Sequence, residues 1–183
     1  MKLSTEDGQL FYKLWLPLLD YVNRKYRINR GMKKMGGEKK LDSAAAKQIA
    51  DRLWDDVSVI DEYLAEYADD MPEDHKNIIH SWKCRVKGRF ILECHLKSGS
   101  IFISMEDERV YKVCGIVSSW EEMFSCIPVP IVLEAVFIPF RDVLISDGLV
   151  IPYNVAIGPG MSKQFKALYM TAKKNGTLIT HLD

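Results

Sequence analysis

Between residues 82 and 96 the chain reads Trp-Lys-Cys-Arg-Val-Lys-Gly-Arg-Phe-Ile-Leu-Glu-Cys-His-Leu. The even positions are Trp82, Cys84, Val86, Gly88, Phe90, Leu92, Cys94 and Leu96, and the odd positions run Lys83, Arg85, Lys87, Arg89, Ile91, Glu93, His95. Side chains alternate across a β-strand, so this spacing predicts one long strand from residue 82, apolar on one face and mainly basic on the other. Gly88, in its middle, is the expected place for a bulge or a sharp bend.

The period-two pattern continues beyond it. Lys97-Ser98-Gly99 reads as a turn, 101–105 as a short strand, Glu106-Asp107-Glu108 as a second turn and 109–114 as a third strand, together an antiparallel meander. Ser119 and Glu122 have capping-box spacing, which predicts a short helix over 120–124. Residues 129–140 are apolar on both faces except Glu134, as a central strand requires, with Pro130 and Pro139 placed near its ends. Asp147-Gly148 between 143–146 and 149–151 predicts a hairpin with a type I′ turn. A helix over 162–174 follows Gly158-Pro159-Gly160 and stops at Asn175-Gly176, and 177–181 is a final edge strand.

The first third has a different period. Leu10, Phe11, Leu14, Trp15, Leu18, Leu19, Val22 and Tyr26 form one helical stripe, interrupted by Pro17, which predicts a kink or a second segment. Residues 29–41, with Gly31, Gly36, Gly37 and many lysines, read as a loop. A second helix is capped by Asp42 or Ser43, a third starts near Ser58, and Pro72 opens a fourth that runs to Trp82. The expected class is α+β: an N-terminal helical segment, 1–81, packed on a β-rich domain, 82–183, whose mostly antiparallel sheet is strongly curved or closed into a small β-barrel and is followed by a C-terminal helix.

Charge excludes a strong long-range pull toward polyanions, because 25 basic residues balance 25 acidic ones. The opening residues lack the apolar core of a signal peptide, and the nearly uncharged run 125–139 is too short and too broken by proline to span a bilayer. The expectation is a cytoplasmic protein. Its four cysteines, Cys84, Cys94, Cys114 and Cys126, contain no Cys-x-x-Cys pair and suit free thiols. Zinc held by Cys94, His95, Cys114 and Cys126 is disfavoured, since neighbouring strand residues point to opposite faces.

Four candidate sites arise. Lys83, Arg85, Lys87 and Arg89 would line up on one strand face about 6–7 Å apart and could take an anion or an acidic partner, unless the face is simply solvated or the ten acids of 51–74 cover it. Tyr111, Trp120 and Phe124 are candidate interaction aromatics if they reach the surface. Gly158 to Lys163 hints at phosphate binding but lacks P-loop spacing. Glu134 is a carboxylate in an apolar strand: an acid of raised pKa if buried, and otherwise an ion-pair partner of Arg89 or Arg141 or a solvent-facing group.

No nucleophile–base pair, metal motif or cofactor motif is visible. The reading is a non-catalytic binding or regulatory protein, partnered by a protein or an anionic ligand and not by a membrane. The alternatives are a nucleic-acid-binding protein that uses the basic strand face, and an enzyme with dispersed catalytic residues such as Glu134 or His95.

Overall fold

The computed structural model describes residues 1–30 and 43–182. The chain divides into two compact units, Glu6–Lys83, and Cys84–Asp183 joined by Met1–Thr5. Asp42 and residues 31–41 of the loop expected over 29–41 lie outside the described residues.

The first unit is helical, with α1 (Thr5–Tyr26), α2 (Ser43–Asp55), α3 (Ser58–Tyr67) and α4 (Glu73–Ser81). Helix α1 continues past Pro17 as one element. Its stripe, Phe11, Leu14, Trp15, Leu18, Leu19 and Val22, is buried as the period requires. Trp15 stacks on Trp54 with ring centroids 5.4 Å apart and meets Trp82 edge-on at 5.6 Å.

Trp82 therefore does not begin the strand. Its backbone N–H donates to the Ile79 carbonyl at 3.2 Å and its ring is fully buried. Ile78, Ile79 and Trp82 repeat at helical spacing, and packing on α1 aromatics outweighs the period-two pattern that runs through the same residues. Lys83 leaves the basic row as well, because its ammonium group binds both carboxylate oxygens of Asp61, at 2.9 and 2.7 Å.

The second unit is built on a mixed sheet. Its elements are β1 (Val86–Leu96), β2 (Gly99–Ser104), β3 (Val110–Cys114), α5 (Trp120–Met123), β4 (Ile131–Phe140), β5 (Val143–Ser146), β6 (Ile151–Pro152) and α6 (Pro159–Asn175). β1 pairs antiparallel with both β2 and β4, β2 with β3, and β4 with β5, while a parallel pairing joins β3 to β5. These five strands make a closed ring, so the curved-sheet alternative resolves into a small barrel. The α+β class stands.

Inside the ring, Phe90, Leu92, Phe102, Tyr111, Leu133, Phe137 and Leu144 form one cluster. Phe137 lies 4.3 Å from Phe90 and 5.0 Å from Phe102 between ring centroids. Burying a ring of this kind contributes about 1.5–3 kcal/mol. Helix α5 joins the cluster through Trp120, edge-on to Phe102 at 4.7 Å, with Phe124 stacked behind it. The expected capping box forms: Glu122 N–H donates to Ser119 Oγ at 3.2 Å, and Ser119 N–H to Glu122 Oε2 at 2.6 Å.

Two expectations change. The bulge is not at Gly88. Leu92 pairs with Phe102 and Cys94 with Ile101, which leaves Glu93 as the extra residue. Beyond it the phase of the strand reverses, so His95 turns to the interior side with Ser100, while Cys94 and Leu96 join Ile91 outside. The Asp147-Gly148 hairpin is also absent. β5 and β6 instead lie end to end along one edge of β4, with 147–150 looping out between them. A type I′ turn needs positive φ at both central residues, and here only Gly148 has it. The tight reversal is at Arg141-Asp142, where Arg141 takes φ 51°.

The free side of β3 is shared. Besides β5 it carries the chain's last segment, with Lys112 N–H donating to the Ile179 carbonyl at 2.8 Å and Ile179 N–H to the Val110 carbonyl at 2.9 Å. It also carries the N-terminus, since Leu3 N–H donates to the Gly115 carbonyl at 3.0 Å and Gly115 N–H to the Met1 carbonyl at 3.1 Å.

Candidate partner-binding surface

The basic row is shorter than the sequence pattern implies. Lys83 closes the helical unit on Asp61, and Arg85, half-buried, precedes the first strand residue. Lys87 and Arg89 remain on β1, both exposed and both on the side opposite the interior residues Phe90 and Leu92. Ile91, the next residue on their side, is buried, so the polar part of this face ends after Arg89.

Register defines what surrounds these two cations. Arg89 lies opposite Glu134 on β4, and Glu134 lies opposite Ile151 on β6. Strands about 4.8 Å apart thus set a cation, a carboxylate and an aliphatic side chain in one row across three strands. Tyr153, just after β6, donates its hydroxyl to Glu134 Oε2 at 3.2 Å. Ile151 and Tyr153 are exposed. Glu134 is accordingly a surface carboxylate engaged by a phenol, and not a buried acid.

Tyr111, Trp120 and Phe124 are interior residues rather than contact aromatics, all three sitting in the barrel cluster. Alternation explains Tyr111, and the hydrophobic interior of the ring explains Trp120 of α5 and Phe124 just after it, which seal it. In Gly158 to Lys163, Gly158 is the N-cap of α6 and makes no side-chain cap bond, and Pro159 occupies the first turn.

Two polar groups, His95 and Glu93, have surroundings that the spacing alone did not define. His95 Nδ1 sits 2.9 Å from the Ser100 hydroxyl across the β1–β2 hairpin. Burial holds its pKa below the usual imidazole value, opposed by the Glu121 carboxylate and assisted by the N-terminal ammonium. Glu93 is buried on the outer side, and one of its oxygens, Oε2, has no hydrogen-bond partner. Burial raises its pKa, and Lys166 of α6 pulls the other way. The signal in the sequence was the triplet Phe90-Ile91-Leu92: apolar residues on both faces mean a second covering layer, here α6, and an acid directly after them falls under it.

Cys94 is half-buried, and burial together with Glu93 raises its pKa. Cys94 and His95 point to opposite sides of the sheet. Among the described residues no group of three or more His, Cys, Asp or Glu is placed to hold a metal ion. Among the same residues no helix is long and apolar enough to cross a membrane.

Compared with family models, with curated proteins and with solved structures, the chain matches none.

Proposed function

We propose that this is a non-catalytic binding or regulatory protein of the cytoplasm, which docks a protein partner bearing acidic side chains on the outer face of β1, β4 and β6. The observation that carries the reading is the row Arg89, Glu134 and Ile151, with Lys87 and Tyr153 beside it. Cation, carboxylate, phenol and aliphatic contact within two strand spacings suit a surface that reads both charge and shape. The free thiols of Cys84, Cys94, Cys114 and Cys126 support a reducing compartment.

A nucleic-acid partner is the second reading, favoured by architecture. A five-stranded barrel is also the architecture of OB folds, whose oligonucleotides meet the face of the second and third strands, and the second reading rests on that analogy. Here that face is aliphatic, Ile101, Ile103 and Val110, and lies under α6, which favours the protein partner.

The test compares the full chain with a Lys87→Glu, Arg89→Glu double variant against a polyglutamate peptide and a single-stranded oligonucleotide, titrated with salt. Salt-sensitive peptide binding that the double variant loses supports the reading. Oligonucleotide binding of equal or greater strength moves it to the second reading, and no binding of either probe by the wild-type chain overturns both.

A further inference from the structure

The outer face of β1, β2 and β3, with Val132 of β4, is covered in cis. Ile91, Ile101, Ile103, Val110 and Val132 form an aliphatic surface, each at 8 % exposure or less, and α6 lies over it. The cover is thin, because of the 17 residues of α6 only Tyr169 and Ala172 are buried, with Phe165 and Leu168 half in contact. The approach to α6 is open: residues 151–156 are exposed, and a side chain added at Gly158 or Gly160 would meet nothing within 4 Å. At the far end Gly176 takes φ +67° and the chain returns to β3 through Ile179.

Beneath this helix sits Glu93, the extra residue of the β1 bulge, with Oε2 buried and unpartnered. Burying a carboxylate without a partner is unfavourable in its charged form and mild in its neutral form. The groups that face it are Cys94 on its own strand and, from α6, Lys166, with Tyr169 next to Cys94. Ile101 and Ile103 on β2 bring no charge, and Lys112 of β3 lies opposite Ile101, one strand further from Cys94. Lys166 alone among these groups favours the carboxylate, and it lies on α6.

We propose that α6 is a lid over the aliphatic face of β1–β3 and that ionisation of Glu93 beneath it drives the lid open. The sign follows from linkage. Burial makes the closed state bind the Glu93 proton more tightly than the open state, in which Glu93 titrates as an ordinary carboxyl near about 4.3. Closure is therefore strongest below that value and weakens as pH rises through the closed-state pKa, above which it levels off. Within the window the opening constant grows by up to about tenfold per pH unit. The lid covers a separate stretch of the outer surface, beginning at Ile91 and Val132, and does not rest on the docking row.

Hydrogen exchange of the full chain followed by mass spectrometry between pH 4.5 and 8 tests the lid, after correction for the intrinsic pH dependence of exchange. Amides of α6 should lose protection with rising pH while those of β1, β2 and β4 do not, and Glu93→Gln should make α6 protection flat with pH. Lys166→Ala, which removes the opposing charge, should increase α6 exchange at pH 7 severalfold. Protection of α6 that follows the barrel at every pH, or pH dependence retained in Glu93→Gln, overturns the proposal. Should Glu93→Gln fail to fold, equal α6 exchange in the wild-type chain and Lys166→Ala overturns it instead.

Discussion

His95 Nδ1 and the hydroxyl of Ser100 lie 2.9 Å apart, both on the interior side of the β1–β2 hairpin. Burial is the main reason the imidazole stays neutral, and the N-terminal ammonium adds to it. A histidine whose folded pKa is depressed binds fewer protons folded than unfolded. Its contribution is complete above the unfolded value near 6.5 and is lost as pH falls from there toward the folded pKa. Thermal unfolding of the wild-type chain should therefore lose stability as pH falls below about 6.5, and His95→Gln should lack that component. Ser100→Ala should cost about 1–2 kcal/mol at pH 7, since it strips a buried partner from the ring nitrogen. Parallel pH profiles for wild type and His95→Gln would show that the ring does not titrate in this role.

Gly115 and Gly88 should respond oppositely to alanine. A Cβ at Gly115 would come within 1.9 Å of the Ser118 carbonyl oxygen and 2.9 Å of Ser119 Cα, both backbone atoms fixed ahead of α5. Gly115→Ala should cost about 3 kcal/mol or more, because the chain must shift where it also bonds the N-terminal segment. At Gly88 the nearest atom is Glu106 Oε1 at 3.4 Å, the mobile end of a side chain. Gly88→Ala should be neutral or stabilising by up to about 1 kcal/mol through the unfolded chain. Urea unfolding of both variants checks the contrast, and equal destabilisation would contradict it.

These two glycines also show what the sequence could and could not reveal. Gly88 stood out because it interrupts a strand, yet its backbone is ordinary and the bulge lies at Glu93. Period-two alternation is blind to one inserted residue until the partner strand is known, and the partner, 101–104, is set by the length of the 97–98 turn. The helical stripe of α1, the capping box of α5 and both faces of β4 were legible because each is a local or single-strand property. Ring closure was not, because it depends on the parallel pairing of β3 and β5 over two residues. Among the candidate cations, Lys87 and Arg89 kept their expected face. Lys83 did not, since an aromatic contact between Trp82 and α1 captured the start of the expected strand.

Trp120 offers a test of the α5 plug. Its indole is fully buried against Phe102 and Phe124, and Nε1–H has no hydrogen-bond partner. Trp120→Phe keeps the ring stack and deletes the unsatisfied donor, so it should change stability by less than about 1.5 kcal/mol. Trp120→Ala empties the seal of the barrel and should cost about 3–5 kcal/mol. Denaturant midpoints resolve the two, and a large loss in Trp120→Phe would mean that the indole N–H has a partner such as a buried water.

Pro152 guards the edge that β6 presents. Tyr153 N–H points inward to the Val132 carbonyl at 2.8 Å, so by alternation the backbone nitrogen of residue 152 points away from β4, and proline gives it no hydrogen to offer. Ile151, Tyr153 and Val155 are exposed along the same stretch, and such a segment with a free donor is a template for another strand. Pro152→Thr restores the donor and adds a β-branched side chain. It should leave the melting temperature within a few degrees while causing concentration-dependent association of the full chain. Light scattering after size-exclusion chromatography, run across a hundredfold range of loading, reads the outcome. A mass that matches the wild-type chain at every loading would show that the edge is protected by something other than the missing donor.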